Sequence, residues 1–243
     1  MERLEGIHCV REALAAGRRR CHRLLVRAGR NARPVEALVE EAGRQGLPVE
    51  RLESSARLPY QGVALVVDRL PELPLEQLLV APAPVRRWLV ALDGVEDPQN
   101  VGAVARVAEA AGCAGMILTR RHAPGLTPSV SRASAGAIEH LPVGRVANLP
   151  RALVALRDHG YWSVGADLGE LPSLFDTDDR LWEGALVLVV GAEGRGLRRG
   201  VRDALDHRVR IPMWGHVASL NVSAAAAILL WEAARRSGSR EAP

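Results

Sequence analysis

Uncharged apolar runs along the chain predict strands that are buried on both faces. Residues 62–67 (GVALVV) and 186–190 (LVLVV) contain no polar side chain, which predicts buried strands. The run at 186–190 is typical of a strand covered on both faces of a parallel sheet. Shorter apolar stretches predict further strands at residues 22–27, 87–92, 115–119, 161–165 and 209–211. A short apolar stretch also occupies residues 47–52.

Between these runs, apolar residues recur every three or four positions, which indicates helices. The predicted helices are residues 8–17, 34–46, 100–111, 128–137, 149–158 and 219–234. Strands and helices alternate, so the predicted class is α/β with a mostly parallel sheet. A proline-rich stretch at 71–86 predicts a linker between a small α/β domain at 1–70 and a larger domain at 87–243.

The basic residues exclude several enzyme classes, because all 32 of them are arginine and the chain has no lysine. A conventional P-loop NTPase, a protein kinase or a pyridoxal-phosphate enzyme each needs a specific lysine amine. Residues 1–70 hold 13 arginines against 9 acidic residues, whereas the remainder is balanced. Arginine binds phosphate well, so the run that includes Arg18, Arg19 and Arg20 predicts an RNA-binding surface, with an ordinary solvated face as the alternative.

Other composition features predict a cytoplasmic protein without a metal site. The three cysteines, Cys9, Cys21 and Cys113, are widely spaced and form no C-x-x-C, which is typical of reduced thiols. Neither a signal peptide nor an apolar run of about 20 residues is visible, so no membrane attachment is expected. The histidines and cysteines show no metal-ligand spacing, and no G-x-G-x-x-G follows the strand at 87–92.

Three polar segments follow predicted strands, where open α/β sheets commonly bind ligands. The first, DPQNVGAVAR, contains Asn100 and Arg106. The second, GAEGRGL, surrounds Glu193 with three glycines, and the third, SLNVSAAAAI, contains Ser219 and Asn221. Taken singly, Asn100 and Ser219 also suit helix N-caps, and Arg106 suits a solvated helix face.

In this order and spacing, the three segments resemble the SpoU/TrmH family of RNA ribose 2′-O-methyltransferases, which belongs to the knotted SPOUT superfamily. The N-terminal stretches GIHCVREAL and QGVALVV resemble the L30e-like RNA-binding domain that precedes the catalytic domain in one branch. The branch that the chain resembles most closely methylates a guanosine of bacterial large-subunit (23S) rRNA. Members that methylate tRNA share the same three motifs.

The resemblance implies that S-adenosyl-L-methionine is the cofactor, bound in a deep trefoil knot within a homodimer. The family's cofactor positions correspond to Gly191, Ile211 and Leu220. Its catalytic positions correspond to Asn100, Arg106, Glu193, Ser219 and Asn221. Because the pKa of an arginine lies above about 12, we expect Arg106 to hold the target phosphate and stabilise the developing alkoxide. It would act as a base only if its environment were strongly perturbed.

Two functions from other classes remain as alternatives at this point. The first is a non-catalytic RNA-binding protein on the same scaffold, against which the complete set of motif residues argues. The second is a nucleotide-dependent oxidoreductase, against which the missing dinucleotide fingerprint argues. Within the enzyme interpretation, the runner-up substrate is a tRNA ribose.

Overall fold

A computed structural model of the chain describes residues 1–29, 32–53, 60–80 and 86–237. Its strands are β1 (Glu2–Glu5), β2 (Cys21–Arg27), β3 (Val49–Leu52), β4 (Val63–Val67), β5 (Trp88–Asp93), β6 (Gly115–Thr119), β7 (Val143–Val146), β8 (Tyr161–Ala166), β9 (Ala185–Gly191) and β10 (His207–Val209). Its α-helices are α1 (Ile7–Ala16), α2 (Arg33–Arg44), α3 (Leu75–Val80), α4 (Pro98–Ala110), α5 (Pro128–Ala133), α6 (Leu149–Asp158), α7 (Arg199–Ala204) and α8 (Val222–Arg236).

The larger sheet has six parallel strands in the order β10-β8-β9-β5-β6-β7. Every residue of β5 is buried, and so is β9 up to its last residue, because helices cover both faces of the sheet. Helices α4 and α8 pack on one face, and α6 and α7 on the other. The predicted α/β class with a mostly parallel sheet is therefore confirmed.

The smaller sheet has four strands in the order β1-β4-β2-β3. Only the pair β2–β3 is parallel, while β4 pairs antiparallel with both β1 and β2. Helices α1 and α2 supply apolar side chains to its core. This sheet with its two helices, residues 2–67, is called the N-terminal unit below, and the six-stranded sheet with its helices is the C-terminal unit.

Within the stretch predicted to be a linker, the structure has a packed helix. The Leu78 side chain of α3 is 1% exposed and sits against Gly115 and Gly144, where an added Cβ would lie 2.6 and 2.9 Å from its methyl carbons. The Leu73 amide donates to Val143 O at 2.8 Å and so joins this segment to the edge of the sheet. Residues 81–85 of the predicted linker, like residues 238–243, lie outside the described residues.

Two helices start at other residues than predicted because a different residue is the N-cap, and one strand boundary also differs. Helix α4 starts at Pro98 rather than Asn100, since Asp97 is the N-cap and its carboxylate accepts from the Gln99 amide at 3.0 Å. Helix α8 starts after Asn221, so Ser219 precedes it. Strand β10 runs from His207 to Val209, whereas the strand was predicted at residues 209–211.

The end of α8 is fixed by charged groups. Glu232 accepts from Arg235 and Arg236 at 2.8 and 2.6 Å, and these hydrogen bonds, first that from Arg235, lower the pKa of its carboxyl to about 2 against the opposing effect of burial. Arg236 also donates to Thr177 O at 2.6 Å.

Among the described residues, no helix has both the length and the apolar character needed to cross a membrane.

Candidate active site

The candidate site lies at the carboxyl ends of β5 and β9, which are neighbours at the centre of the larger sheet. Asp93, the last residue of β5, is 1% exposed and pairs in register with Gly191, the last residue of β9. Its carboxylate accepts from the Arg198 backbone amide and from Arg198 Nε, both at 2.7 Å. The chain from 191 to 198 is therefore held as a closed loop, which a bridge between Ala192 and Gly196 tightens further.

Asn100, Glu193 and Asn221 meet at this end of the sheet, although they lie on three separate segments. The Asn100 amide donates to Glu193 Oε1 at 3.2 Å, and the Asn221 amide donates to Asn100 Oδ1 at 2.9 Å. The Asn221 amide also donates to Glu193 Oε1. The two side-chain amides donate to the same carboxylate oxygen, Oε1. Glu193 Oε2 has no hydrogen-bond partner within the described ranges.

The cap of α8 explains how the Asn221 side chain is oriented. Its Oδ1 accepts from the Ser223 backbone amide at 2.9 Å and from the Ser223 hydroxyl at 2.6 Å. With its oxygen held by the helix N-terminus, the amide nitrogen must face Glu193 and Asn100. Asn221 thus caps α8 and also joins the hydrogen-bonded triangle of Asn100, Glu193 and Asn221, called the triangle below.

Two of the five predicted catalytic residues lie outside the triangle. Ser219 lines the adjacent cleft, and its side chain makes no hydrogen bond to the residues that the structure describes. Arg106 is exposed on α4, about 9 Å along the axis from Asn100 and about 120° around it. It has no ion-pair partner among the described residues, so its guanidinium is free to meet a ligand.

A cleft lies beside the triangle and contains about 580 Å³ of space free of protein atoms, part of it open to solvent. The three predicted cofactor positions, Gly191, Ile211 and Leu220, all line it. Gly191 is packed tightly against the loop, because an added Cβ would lie 2.2 Å from Gly196 O. No side chain larger than hydrogen fits at that position without moving the backbone.

The structure corrects the predicted basic surface at Arg18 and Arg19. The Arg19 side chain is 1% exposed and donates to both carboxylate oxygens of Glu139, at 2.9 and 2.7 Å. Arg18 donates to the carbonyl of Leu141 at 2.7 Å, and burial lowers the pKa of its guanidinium. Only Arg20 of the three is exposed. A charge count could not separate arginines that pair within the protein from those that face solvent.

These contacts join the N-terminal unit to the segment 128–141 of the C-terminal unit. The Ser131 hydroxyl donates to Glu139 at 2.8 Å, so this buried carboxylate is fully engaged. His140 and Glu12 are 2.9 Å apart at the margin of the contact. Sequence reasoning missed Glu139 and Asp167, because nothing in their local sequence distinguishes them from surface acids.

The described residues contain no group of three or more histidine, cysteine, aspartate or glutamate side chains that could hold a metal ion. The triangle and its surroundings present the Asn100 and Asn221 amides, the Glu193 carboxylate, the Ser219 hydroxyl and, further along α4, the exposed Arg106 guanidinium. Together they suit holding and polarising a hydroxyl-bearing ligand beside a second ligand in the cleft.

Comparison with known proteins identifies the family. The SpoU rRNA Methylase family model matches residues 87–231, and the model for RNA 2′-O ribose methyltransferase substrate binding matches residues 3–73. A TrmH family tRNA/rRNA methyltransferase of Staphylococcus haemolyticus is 35% identical over 238 residues, which cover 95% of this chain and 94% of the relative.

Solved structures agree with these matches. An AdoMet-bound rRNA methyltransferase from Sinorhizobium meliloti superposes with a TM-score of 0.77 at 25% identity, covering 98% of this chain and 88% of that one. A TrmH/SpoU tRNA modifying enzyme from A. aeolicus has a TM-score of 0.57 at 26% identity and covers 67% of this chain and 81% of its own. The chain therefore belongs to the SpoU/TrmH family of RNA 2′-O-methyltransferases, enzymes that use S-adenosylmethionine as methyl donor.

Proposed function

We propose that the cleft beside the triangle binds S-adenosylmethionine and that the enzyme methylates the ribose 2′-hydroxyl of a guanosine in large-subunit rRNA. The observation that carries this proposal is the hydrogen-bonded triangle of Asn100, Glu193 and Asn221, whose Glu193 also lines the adjacent cleft. Three motif segments that are far apart in sequence converge there, as a shared site requires.

The lining of the cleft fits such a cofactor. Val190, Ile211 and Leu220 offer apolar surface to an adenine ring, and the glycines let backbone groups approach it closely. S-adenosylmethionine supplies an electrophilic methyl group on a sulfonium, which a ribose oxygen attacks directly. Catalysis then depends on where the protein holds the hydroxyl and how it removes the proton.

The triangle positions the ribose in this mechanism. Glu193 Oε2 is the open acceptor for a hydroxyl proton, while Oε1 is held by the two amides. Asn100 and Asn221 hold the carboxylate in place, and Ser219 adds a hydroxyl at the cleft wall. The Arg106 guanidinium binds the adjoining phosphate and stabilises the alkoxide as it forms.

The N-terminal unit supports an rRNA substrate over a tRNA one. The rRNA methyltransferase from S. meliloti aligns with 98% of this chain, whereas the A. aeolicus tRNA enzyme aligns with 67%. We infer two domains, an RNA substrate-binding domain at 1–70 and a methyltransferase domain at 87–243. RNA contacts are assigned to exposed arginines, among them Arg20 and, after β6, Arg120 and Arg121.

A substitution in the cleft tests the cofactor assignment. Leu220→Arg places a long cation in the space proposed for adenosine, and we expect affinity for S-adenosylmethionine to fall by at least about 100-fold, since desolvating the charge costs several kcal/mol. Val154→Arg on α6, where the valine is exposed, is the matched control. Calorimetry that finds equal affinity in both variants would locate the cofactor elsewhere.

The outer face of α8 is proposed to pair two subunits. Trp231 is 53% exposed on this helix, and Trp214 and Val217 are exposed on the loop before it. An exposed apolar surface of this kind suits an isologous dimer in which each subunit completes the other's RNA site. We expect light scattering to find a dimer at micromolar concentration and Trp231→Glu to convert it to monomer. A wild-type monomer would contradict the pairing.

Two further assignments complete the proposal. The segment from 211 to 236 is proposed to thread through a loop as the trefoil knot that the family resemblance implies. The enzyme is assigned to the cytoplasm, where its RNA substrate is made and thiols stay reduced. Its three cysteines are free, and burial raises the pKa of Cys113 to about 12, which keeps that thiol neutral.

A further inference from the structure

A second cavity lies at the carboxyl ends of β6 and β7, at the same end of the sheet as the triangle. It contains about 740 Å³ of space free of protein atoms, part of it open to solvent. Its walls come from three segments, at 119–122, 147–150 and 198–201, and it is called the basic cavity below. Sites for small ligands measure about 300–1,000 Å³, so the basic cavity has room for a ligand such as one nucleotide.

The segments that form the basic cavity are strongly positive. Together with the next residue of α6, they contain five arginines, one histidine and no acidic residue. The arginines, all exposed, are Arg120, Arg121, Arg151, Arg198 and Arg199. Three acidic residues that pair with this set, Asp93, Glu96 and Asp203, leave an excess of positive charge. The ligand that fits the basic cavity is therefore an anion.

Arg198 is held in position for such a ligand by a buried carboxylate. The Asp93 side chain is fully buried, and its Oδ1 accepts from Arg198 Nε at 2.7 Å and lies 2.5 Å from Nη2. The Arg198 side chain is nevertheless 51% exposed, and Nη1 makes no hydrogen bond to the part of the chain that the structure describes. Because Asp93 already fixes one edge of the guanidinium, binding of a phosphate to the other edge costs little side-chain entropy.

Arg121 supplies a second cation from a loop whose shape is fixed by its own contacts. The Thr119 hydroxyl donates to the Arg121 carbonyl. His122, whose φ of +59° lies in the left-handed region, is 2.9 Å from the Glu96 carboxylate. The exposed Arg121 guanidinium has no ion-pair partner among the described residues. Its charge is therefore available to a ligand in the basic cavity.

The basic cavity and the candidate active site share two loops. Residues 191–194 line the cleft beside the triangle, and Arg198 of the same loop lines the basic cavity. The loop after β5 holds Glu96, the partner of His122, four residues before Asn100 of the triangle. The two sites are therefore neighbours across the end of β5.

We propose that the basic cavity binds a nucleotide of the substrate RNA that flanks the methylated one, with its phosphate on Arg121 and Arg198. The arginine fork matches the geometry of phosphate oxygens. Leu149, Pro150 and Val201 add an apolar wall, which suits a ribose or a base rather than a free inorganic ion. This inference rests on the proposed placement of the target ribose at the triangle.

Methyl transfer from labelled S-adenosylmethionine to total RNA from a strain without this enzyme tests the proposal. Arg121→Gln removes one cation, and we expect the KM for RNA to rise about 10-fold, the usual effect of losing a hydrogen bond to a charged group. The rate at saturating RNA should change little. The log–log slope of KM against salt concentration should fall by about 0.7, the contribution of one phosphate contact on a single strand.

Arg180→Gln is the control for this measurement, because Arg180 is 84% exposed and pairs with the exposed Asp178 away from the basic cavity. We expect it to keep the wild-type KM and salt slope. An Arg121→Gln enzyme with the same KM and salt slope as the control would overturn the inference.

Gly200 provides a second test that leaves every arginine in place. It is exposed on α7 and lines the basic cavity, and an added Cβ there would lie 3.6 Å from Pro150 Cγ, an ordinary contact. Gly200→Glu therefore adds a carboxylate to the wall without displacing the backbone, and we expect it to raise the KM for RNA at least as much as Arg121→Gln. Gly200→Gln has the same size without the charge and should raise the KM less. Equal KM values for the two Gly200 variants would contradict a bound phosphate.

The outcomes separate this inference from the proposed function. If Asn221→Ala methylates RNA as fast as the wild type, the triangle is not the active site and the proposed function fails. If Asn221→Ala is inactive while Arg121→Gln and Gly200→Glu keep the wild-type KM, the inference about the basic cavity alone fails. Calorimetry with inorganic phosphate tests the other source of the anion. Phosphate binding that is lost in Arg121→Gln, together with an unchanged KM for RNA, would show a site for a free anion and overturn the RNA assignment.

Discussion

Replacing Arg106 by alanine is expected to slow methyl transfer by about 100- to 1000-fold, the usual loss when one charge-stabilising donor is removed. The side chain is exposed and has no partner among the described residues, so its removal leaves no buried group unpaired. We therefore expect affinity for S-adenosylmethionine and the melting temperature to stay near the wild-type values. Arg180→Ala, which removes an arginine that is 84% exposed and pairs with the exposed Asp178, is the control.

The variant Arg106→Lys distinguishes two roles for this side chain. Lysine retains the charge, loses the planar fork and deprotonates more readily. If the fork binds phosphate and alkoxide, the lysine variant should be nearly as slow as the alanine variant. If proton abstraction dominates, it should retain activity that rises steeply with pH. Single-turnover rates at saturating cofactor separate these results, and an alanine variant as fast as wild type would remove Arg106 from catalysis.

The second large effect is expected at the buried pair of Arg19 and Glu139. Arg19→Met leaves the Glu139 carboxylate buried with the Ser131 hydroxyl as its one remaining hydrogen-bond donor among the described residues, which should cost about 3–5 kcal/mol of stability. The double variant Arg19→Met, Glu139→Leu removes both charges and should recover most of that loss. Arg23→Met, at a half-exposed site in the same unit, is the control and should cost less than about 1 kcal/mol.

This pair also connects the N-terminal unit, through α5, to α4, the helix that carries Asn100 and Arg106. It fastens the N-terminal unit to segment 128–141, whose helix α5 packs on α4 so closely that a Cβ at Gly102 would lie 2.4 Å from the Ala133 Cβ. We expect Arg19→Met to loosen the N-terminal unit, raising the radius of gyration in X-ray scattering and weakening methyl transfer to RNA. Cofactor affinity should not change. Unaltered stability and scattering would show that the ion pair does not hold the two units together.

The strands of the larger sheet could be predicted where burial on both faces makes a continuous apolar run, as in β9. The same reasoning missed β1, whose sequence ERLE has one fully buried residue, because an edge strand needs little apolar surface. It also missed β7, where a glycine and an arginine interrupt the pattern. Cap chemistry was ambiguous at Asn100, since Asp97 could cap the same helix and does so.

Only part of the candidate site could be predicted from the sequence. Motif order brought Asn100, Glu193 and Asn221 into one hypothesis, and the structure places these three within hydrogen-bonding distance. The sequence could not predict that Arg19 is buried, because its partner Glu139 lies 120 residues away along the chain. Asp167 escaped notice for the same reason, since Arg202 and Arg208, which pair with it, lie on other segments of the chain.

Mapping of the methylated nucleotide tests the central claim most directly. Large-subunit rRNA, small-subunit rRNA and tRNA from a strain without this enzyme would be incubated with the protein and methyl-labelled S-adenosylmethionine, with Asn221→Ala in parallel. Nuclease digestion and mass spectrometry would then identify the labelled nucleoside. The account predicts 2′-O-methylguanosine at one position of large-subunit rRNA, greatly reduced with Asn221→Ala. Label on a base, label confined to tRNA, or equal labelling by the variant would contradict it.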